Sequence, residues 1–138
     1  MKFTIPGNPI AQGRPRFSRA GGFVRAYDPK KSVDYKSLIA LFATERGVKQ
    51  ANGPIVVSID LYFKRPKNLC RKRDAQEAII CHKRPDVDNC AKIFLDALNG
   101  IAWNDDGQVH SIRVTKWYHE KDGAPRADVL IEEIKGRG

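Results

Sequence analysis

Strict alternation of apolar and polar positions predicts two strands in the first half of the chain. Phe3 and Ile5 alternate with polar neighbours, and a Pro-Gly pair directly after them ends this short strand. The clearest strand runs from Ile55 to Phe63, where every second residue is apolar. One face of this strand should therefore be buried.

A third region of alternation lies near the end of the chain. Ile112 and Val114 alternate with polar residues in a segment that reaches Tyr118. An Asp-Gly pair at 122–123 is a turn signal, and apolar positions resume at 127–134. We therefore expect a β-hairpin whose two strands pair with each other.

Helical spacing predicts a first helix between Asp28 and Gly47. Asp28 is a suitable N-cap, and Pro29 fits the first helical position. Gly47 can take the left-handed conformation that ends a helix. The residues that follow helical spacing are Leu38, Leu41, Phe42 and Glu45.

A second helix is predicted after Pro85, with Asp88 as its N-cap and Gly100 after its last residue. Its apolar stripe consists of Ala91, Phe94, Leu95 and Leu98. The predicted order is strand, helix, strand, helix and hairpin. This order favours an α+β fold, with a small mixed β-sheet and two main helices in a single domain of residues 1–138.

The net charge of the chain indicates what kind of partner it binds. Lys and Arg total 25 against 16 Asp and Glu, which gives a net charge of +9 and a pI near 9.7. Such a balance favours a polyanionic partner, most simply nucleic acid. The length suits one ordinary domain.

Two basic segments carry part of this charge. Residues 12–27 contain arginines interleaved with aromatics among glycines and prolines. We expect this segment to form a hairpin or loop. These aromatics either stack on bases or sugars while the arginines contact phosphates, or they pin a solvated loop to the core. Residues 67–84 are also basic, and we expect a mobile segment with few core contacts and one short helix around 74–79.

The cysteines and the apolar runs argue against several other classes of protein. Three cysteines at irregular spacing argue against a disulfide framework, and the Cys81-His82 pair lacks the CxxC partner typical of zinc sites. No apolar run is long enough for a membrane span or a secretory signal. We expect a cytoplasmic protein.

Carboxylates gather around the second helix of this basic chain. Asp86 and Asp88 are two residues apart in a segment predicted to be extended, so their side chains should point the same way at the helix N-terminus. A strand over 101–103 beside the helix would bring Asp105 and Asp106 back to them. The sequence thus predicts an acidic cluster.

Such a cluster is chemically suited to a hard cation. Grouped carboxylates repel one another unless a cation lies among them, and oxygen ligands without His or Cys favour Mg²⁺ or Mn²⁺. Lys92, one turn into the helix, could hold a phosphate oxygen. The alternative is that these aspartates serve only as helix caps and turn residues.

The residues from Arg84 to Val109 read RPDVDNCAKIFLDALNGIAWNDDGQV. They closely resemble the signature of the RusA family of Holliday junction resolvases: a D-x-D-N pair, a lysine four residues later, a DAL helix end and a DD-x-Q-V turn. The N-terminal IPGNPIAQGRPRFSR is similar to phage-type members. The resemblance covers nearly the whole chain.

This resemblance implies a homodimeric endonuclease that binds four-way DNA junctions and cuts two opposed strands symmetrically with Mg²⁺ or Mn²⁺. It implies catalytic roles for Asp86, Asp88, Asp106 and Lys92, with the three aspartates as metal ligands and Asp105 the less favoured member of its pair. Candidate DNA-binding residues are Arg14, Arg16, Lys30, Lys31, Arg84 and Lys92. The alternatives are a branched-DNA binding module without nuclease activity, and a nuclease for flaps or forks.

Overall fold

The computed structural model describes residues 1–135, which form a five-stranded sheet, a separate two-stranded hairpin and two α-helices. The α-helices are α1 (Lys30–Glu45) and α2 (Val87–Leu98). The strands are β1 (Lys2–Pro6), β2 (Arg16–Ala20), β3 (Phe23–Tyr27), β4 (Ile55–Phe63), β5 (Ile79–Ile80), β6 (Val109–Tyr118) and β7 (Arg126–Glu133). Short 3-10 helices occupy Lys67–Leu69 and Asp106–Gln108. The predicted α+β class, mixed sheet and two main helices are confirmed.

Strand β4 lies at the centre of the sheet. Its burial alternates residue by residue, as predicted, and its buried face joins the inner sides of both helices in one hydrophobic core. The helices contact each other through an edge-to-face pair, Tyr35 against Phe94, with ring centroids 5.9 Å apart. No helix within residues 1–135 is long and apolar enough to cross a membrane.

The predicted C-terminal hairpin is wrong in its pairing. The sheet order is β1-β7-β4-β6-β5, so β4 lies between β6 and β7. Strands β4 and β6 are parallel, whereas β7 pairs antiparallel with both β4 and β1. The expected turn does form, with the Gly123 N–H donating to the Glu120 carbonyl. The chain after it crosses the end of β4, because β6 already occupies the other side of that strand.

The first helix differs from its prediction in its cap and its buried side. Pro29 occupies the N-cap position, and the Asp28 carboxylate instead forms a salt bridge with Lys36 at 3.0 Å. Leu38 and Leu41 are 40% and 50% exposed. The buried stripe is Ser32, Tyr35, Ile39 and Ala43. Gly47 has a φ of +81°, which confirms the predicted left-handed end.

The second helix begins two residues earlier than predicted. Asp86 is its N-cap residue, and Asp88 lies in its first turn. Phe94 and Leu98 are buried as expected, whereas Ala91 and Leu95 are only half-buried. Cys90 and Ile93 complete the buried face.

The expected strand over 101–103 is absent. The N–H groups of Ile101 and Ala102 both donate to the Leu98 carbonyl, so the chain leaves α2 in a tight turn. Gly100, with a φ of +86°, permits this reversal. Trp103 forms only isolated bridges, to Asn99 and Ala51.

The basic segment 67–84 is organised around the buried Arg65. The Arg65 guanidinium donates to the carbonyls of Leu69, Ala75 and Glu77 at 2.7–3.1 Å. The helix expected around 74–79 is absent, since β5 begins at Ile79 and pairs with the end of β6. Cys81 is buried in the core, so the expectation of few core contacts is wrong at this position.

We predict that Arg65→Lys exposes Cys81 to thiol reagents. A lysine keeps the charge but cannot form the three-carbonyl fork, so the segment loses its anchor. In the folded wild type the exposed Cys70 should react first, and Cys81 should react at least tenfold more slowly. Mass spectrometry after timed iodoacetamide treatment measures both rates.

The matched control is Lys64→Arg, which alters an exposed neighbouring cation. Equal Cys70 and Cys81 rates in the wild type would contradict the packing of this segment.

Candidate active site

The N-terminus of α2 presents two exposed carboxylates. Asp86 has extended backbone angles as the N-cap residue, and Asp88 follows in the first turn. Within residues 1–135 no hydrogen bond or salt bridge engages either carboxylate. Lys92 lies one turn after Asp88 on the same side of the helix and is exposed.

Backbone contacts fix the segment that leads into α2. The Lys116 ammonium, on β6, donates to the Pro85 carbonyl at 2.7 Å and also to the Lys83 carbonyl. The Gln12 N–H donates to the Asn89 carbonyl at 3.0 Å. The start of α2 is thereby tied to the end of β6 and to the N-terminal loop.

Asp106 is held by a buried tryptophan. The Trp103 indole N–H donates to Asp106 Oδ1 at 2.8 Å, and Trp103 is fully buried. One carboxylate oxygen of Asp106 is therefore fixed in direction while the other stays available. Asp106 itself is exposed, as is Asp105.

Gln108 fastens the same turn to the rest of the fold. Its side-chain oxygen accepts the N–H groups of Asn104 and Asp105, at 2.8 and 3.0 Å. Its side-chain nitrogen donates to the carbonyls of Ala51 and Gly53, at 2.9 and 3.2 Å. The glutamine of the DD-x-Q-V motif thus acts as a structural clamp on the acidic turn.

The two groups of carboxylates lie toward opposite ends of β6. Asp106 opens the short 3-10 helix that directly precedes this strand, whereas the segment before Asp86 is tied to Lys116 near the end of the strand. The seven residue-to-residue steps from Val109 to Lys116, at about 3.3 Å each, span roughly 23 Å. Among residues 1–135, no group of three or more His, Cys, Asp or Glu is placed to hold a metal ion. The absent strand over 101–103 explains why the turn does not return to the helix start.

The cysteine nearest these carboxylates is unsuited to metal binding. Cys90 is buried on the inner side of α2. Burial raises the pKa of its thiol to about 11, despite the opposing effect of the Lys116 ammonium. The thiol therefore stays protonated at neutral pH, and the available donors are carboxylate oxygens.

The predicted DNA-binding residues are all exposed, and Arg84 lies in the segment that leads into α2. They are Arg14, Arg16, Lys30, Lys31, Arg84 and Lys92. A groove of about 430 Å³ runs between the Ala11–Gly13 backbone and Arg84, with Asp86 and Asn89 on its wall. The groove thus joins a predicted phosphate-binding residue to a predicted metal ligand.

Sequence reasoning missed three supporting residues. Trp103 orients Asp106, and Lys116 holds the backbone before Asp86. Gln12 is buried beside the groove, and its side-chain oxygen has no hydrogen-bond partner among residues 1–135. Trp103, three residues before Asp106, could have been noted as a candidate donor. The roles of Lys116 and Gln12 depend on contacts distant in sequence and left no local signal.

Two comparisons place the chain among known proteins. Residues 6–132 match the family model described as endodeoxyribonuclease RusA. The uncharacterized protein YqaN of Bacillus subtilis (strain 168) is 38% identical over 140 residues, covering 97% of this chain and 96% of YqaN. All candidate catalytic residues fall inside the matched range. The chain belongs to the RusA endodeoxyribonuclease family.

Proposed function

We propose that this protein is a metal-dependent endonuclease that resolves four-way DNA junctions by paired, symmetric nicks. The observation that carries the proposal is the family match over residues 6–132, which includes Asp86, Asp88, Lys92 and Asp106. The exposed, unpaired carboxylates at the start of α2 support it, because a structural cap would be expected to bond to the backbone N–H groups that it caps.

The donor set fits Mg²⁺, with Mn²⁺ as a substitute. Carboxylate oxygens from Asp86, Asp88 and Asp106 would hold the ion, and Mg²⁺ commonly needs only one or two protein carboxylates beside waters and substrate phosphate oxygens. The bound ion would activate water and offset the charge that develops on the phosphate. Lys92 would contact a phosphate oxygen and stabilise the same charge. Asp105 is the less favoured ligand, since the indole bond orients Asp106.

The basic side chains around the site account for DNA affinity. Arg84 lines the groove, and Arg14 and Arg16 follow its Gly13 wall in sequence. Lys30 and Lys31 open helix α1, whose Ser32 contacts Gly13. Such residues contact phosphates and fix the position of the DNA without reading its sequence. The basic residues hold a duplex arm of the DNA, and the acidic residues act on one phosphate within that arm.

The symmetry of the proposed substrate and the layout of the site support a homodimer. A four-way junction has approximate two-fold symmetry, so two opposed cuts need two sites related by a two-fold axis. Asp106 lies far from Asp86 and Asp88 within one chain, and a second copy can bring its own Asp106 to that pair. We therefore propose that each cleavage site draws carboxylates from both copies.

We expect wild-type protein with Mg²⁺ to place symmetric nicks in a labelled four-way junction and to leave a matched linear duplex intact. Asp88→Asn should lower cleavage at least 100-fold and keep or tighten junction binding, because it removes negative charge that faces the DNA. A denaturing gel measures cleavage, and a gel shift in EDTA measures binding.

Asp96→Asn is the matched control, since Asp96 lies on α2 and pairs with Lys36 at 3.5 Å. It should cleave like the wild type. Junction binding without cleavage by the wild type would identify a binding module. Equal cleavage of flaps, forks and junctions would contradict junction specificity.

We predict that Trp103→Phe lowers cleavage roughly 10- to 100-fold, as loss of a group that orients a ligand typically does. The phenyl ring keeps most of the buried volume, but Asp106 loses the N–H that directs it. Single-turnover cleavage rates and thermal unfolding separate the two effects.

Trp117→Phe makes the identical change at another tryptophan–aspartate bond, from the Trp117 indole to Asp60 Oδ1 at 3.1 Å. Because Trp117 is only half-buried, this change should cost less stability than Trp103→Phe, and it should leave cleavage intact. If both variants lose activity in proportion to their stability, Trp103 has no role in orienting Asp106.

Mixing two inactive variants tests the shared site. We expect Asp88→Asn and Asp106→Asn to be inactive alone and to recover nicking when mixed, because one of the two sites in each mixed dimer is then intact. Co-expression with two different tags isolates the mixed dimer for assay. A pure mixed dimer without nicking would show that each site uses one chain only.

A further inference from the structure

The hairpin formed by β2 and β3 exposes aromatic rings. Phe17 is 70% exposed and Phe23 73% exposed, and Val24 and Tyr27 are also largely accessible. Every residue of β3 is exposed. Large apolar side chains usually lie in the core, and a lone two-stranded hairpin is marginally stable in water. This settles the alternative left open by the sequence: these aromatics do not pin the segment to the core.

The charge of the hairpin indicates what covers the rings. Residues 12–27 contain four arginines and no aspartate or glutamate. A fitting partner is negative and offers flat apolar surfaces, which describes DNA whose bases are not fully stacked. A two-fold contact between two such hairpins would instead set arginines against arginines.

The base of the hairpin is anchored beside the candidate active site. Gln12, just before it, donates its N–H to the Asn89 carbonyl near the start of α2. The Gly13 N–H donates to Ser32 Oγ at 2.9 Å on α1. A Cβ on Gly13 would lie 2.8 Å from Pro29 Cγ, so only glycine allows this close approach. The base of the hairpin, where β2 begins and β3 ends, therefore lies close to Asp86.

The length of the hairpin suits contact near the cleaved phosphate. A two-residue turn at Gly21 and Gly22, both with positive φ, joins strands of five residues each. Five residues span about 17 Å, which equals about five nucleotides along one DNA strand. Phe17 pairs with Ala26 toward the base, whereas Phe23 lies next to the turn. The two rings therefore lie at different distances from the start of α2.

We propose that the β2–β3 hairpin recognises the branch point, with the rings of Phe17 and Phe23 stacking on bases that are unstacked there. The arginines of the hairpin neutralise the adjoining phosphates. This inference rests on the proposed function and assigns the preference for branched over linear DNA to these two rings. A continuous duplex keeps its bases stacked and offers the rings no surface.

The test compares junction and duplex affinity in EDTA, where no cleavage occurs. Phe17→Leu and Phe23→Leu keep apolar bulk but remove the ring. Each should weaken junction binding roughly 5- to 150-fold, the range for loss of one base–aromatic stack. Duplex affinity and the salt dependence of binding should stay unchanged, since no charge is lost. By contrast, Arg19→Gln should reduce the salt dependence on both DNAs.

Two further variants sharpen this test. Phe23→Trp keeps an aromatic ring at this position, so it should bind the junction more tightly than Phe23→Leu does. The fluorescence of the introduced tryptophan should be quenched by junction DNA and not by duplex DNA. Leu41→Ala removes a half-exposed apolar side chain from α1 and should change neither affinity.

The outcomes separate this inference from the proposed function. A wild type that does not prefer the junction over the duplex overturns both. A wild-type preference that survives the double Phe17→Leu, Phe23→Leu substitution overturns only the role of the hairpin. Dissociation of a wild-type dimer by these substitutions, measured by analytical ultracentrifugation, would make the hairpin a contact between copies and also overturn it.

Discussion

The parallel pairing of β4 with β6 determines where each candidate catalytic carboxylate lies. Two parallel neighbours need a crossover that returns the chain to the starting end, and α2 provides it here. The helix therefore starts near the end of β6 and finishes near its beginning. Asp86 and Asp88 must lie at one end of this unit, and Asp106 at the other. The separation of the carboxylates is thus a consequence of sheet topology.

Local physical rules were enough to predict β1, β4 and α2. The alternation from Ile55 to Phe63 reflects a strand with one fully buried face, and the start of α2 is marked by Pro85 and two aspartates. The same rules misplaced the buried stripe of α1. Leu38 and Leu41 are apolar yet exposed, because the helix is rotated to bring Tyr35 onto Phe94. That contact joins residues far apart in sequence.

The candidate site was predictable in its residues and not in its assembly. The motif indicated the carboxylates and Lys92. The bond that orients Asp106 comes from Trp103, and the backbone of the acidic turn and of the segment before Asp86 is held by Gln108 and Lys116. An Asp-Gly signal likewise predicted a turn but not the partner of β7. A turn residue constrains only its neighbours, and competition among strands for the centre of the sheet decides the pairing.

The position of β1 has a consequence for how the chain folds. Its ladder joins Lys2 to Leu130, and the N-terminal amine donates to the Ile131 carbonyl at 2.7 Å. During synthesis, β1 can find its partner only after the roughly 120 residues between the two strands have been made. Such long-range pairing slows folding and leaves an unpaired edge exposed meanwhile. Strand β1 is short and ends at Pro6. Both features limit its pairing with another nascent chain.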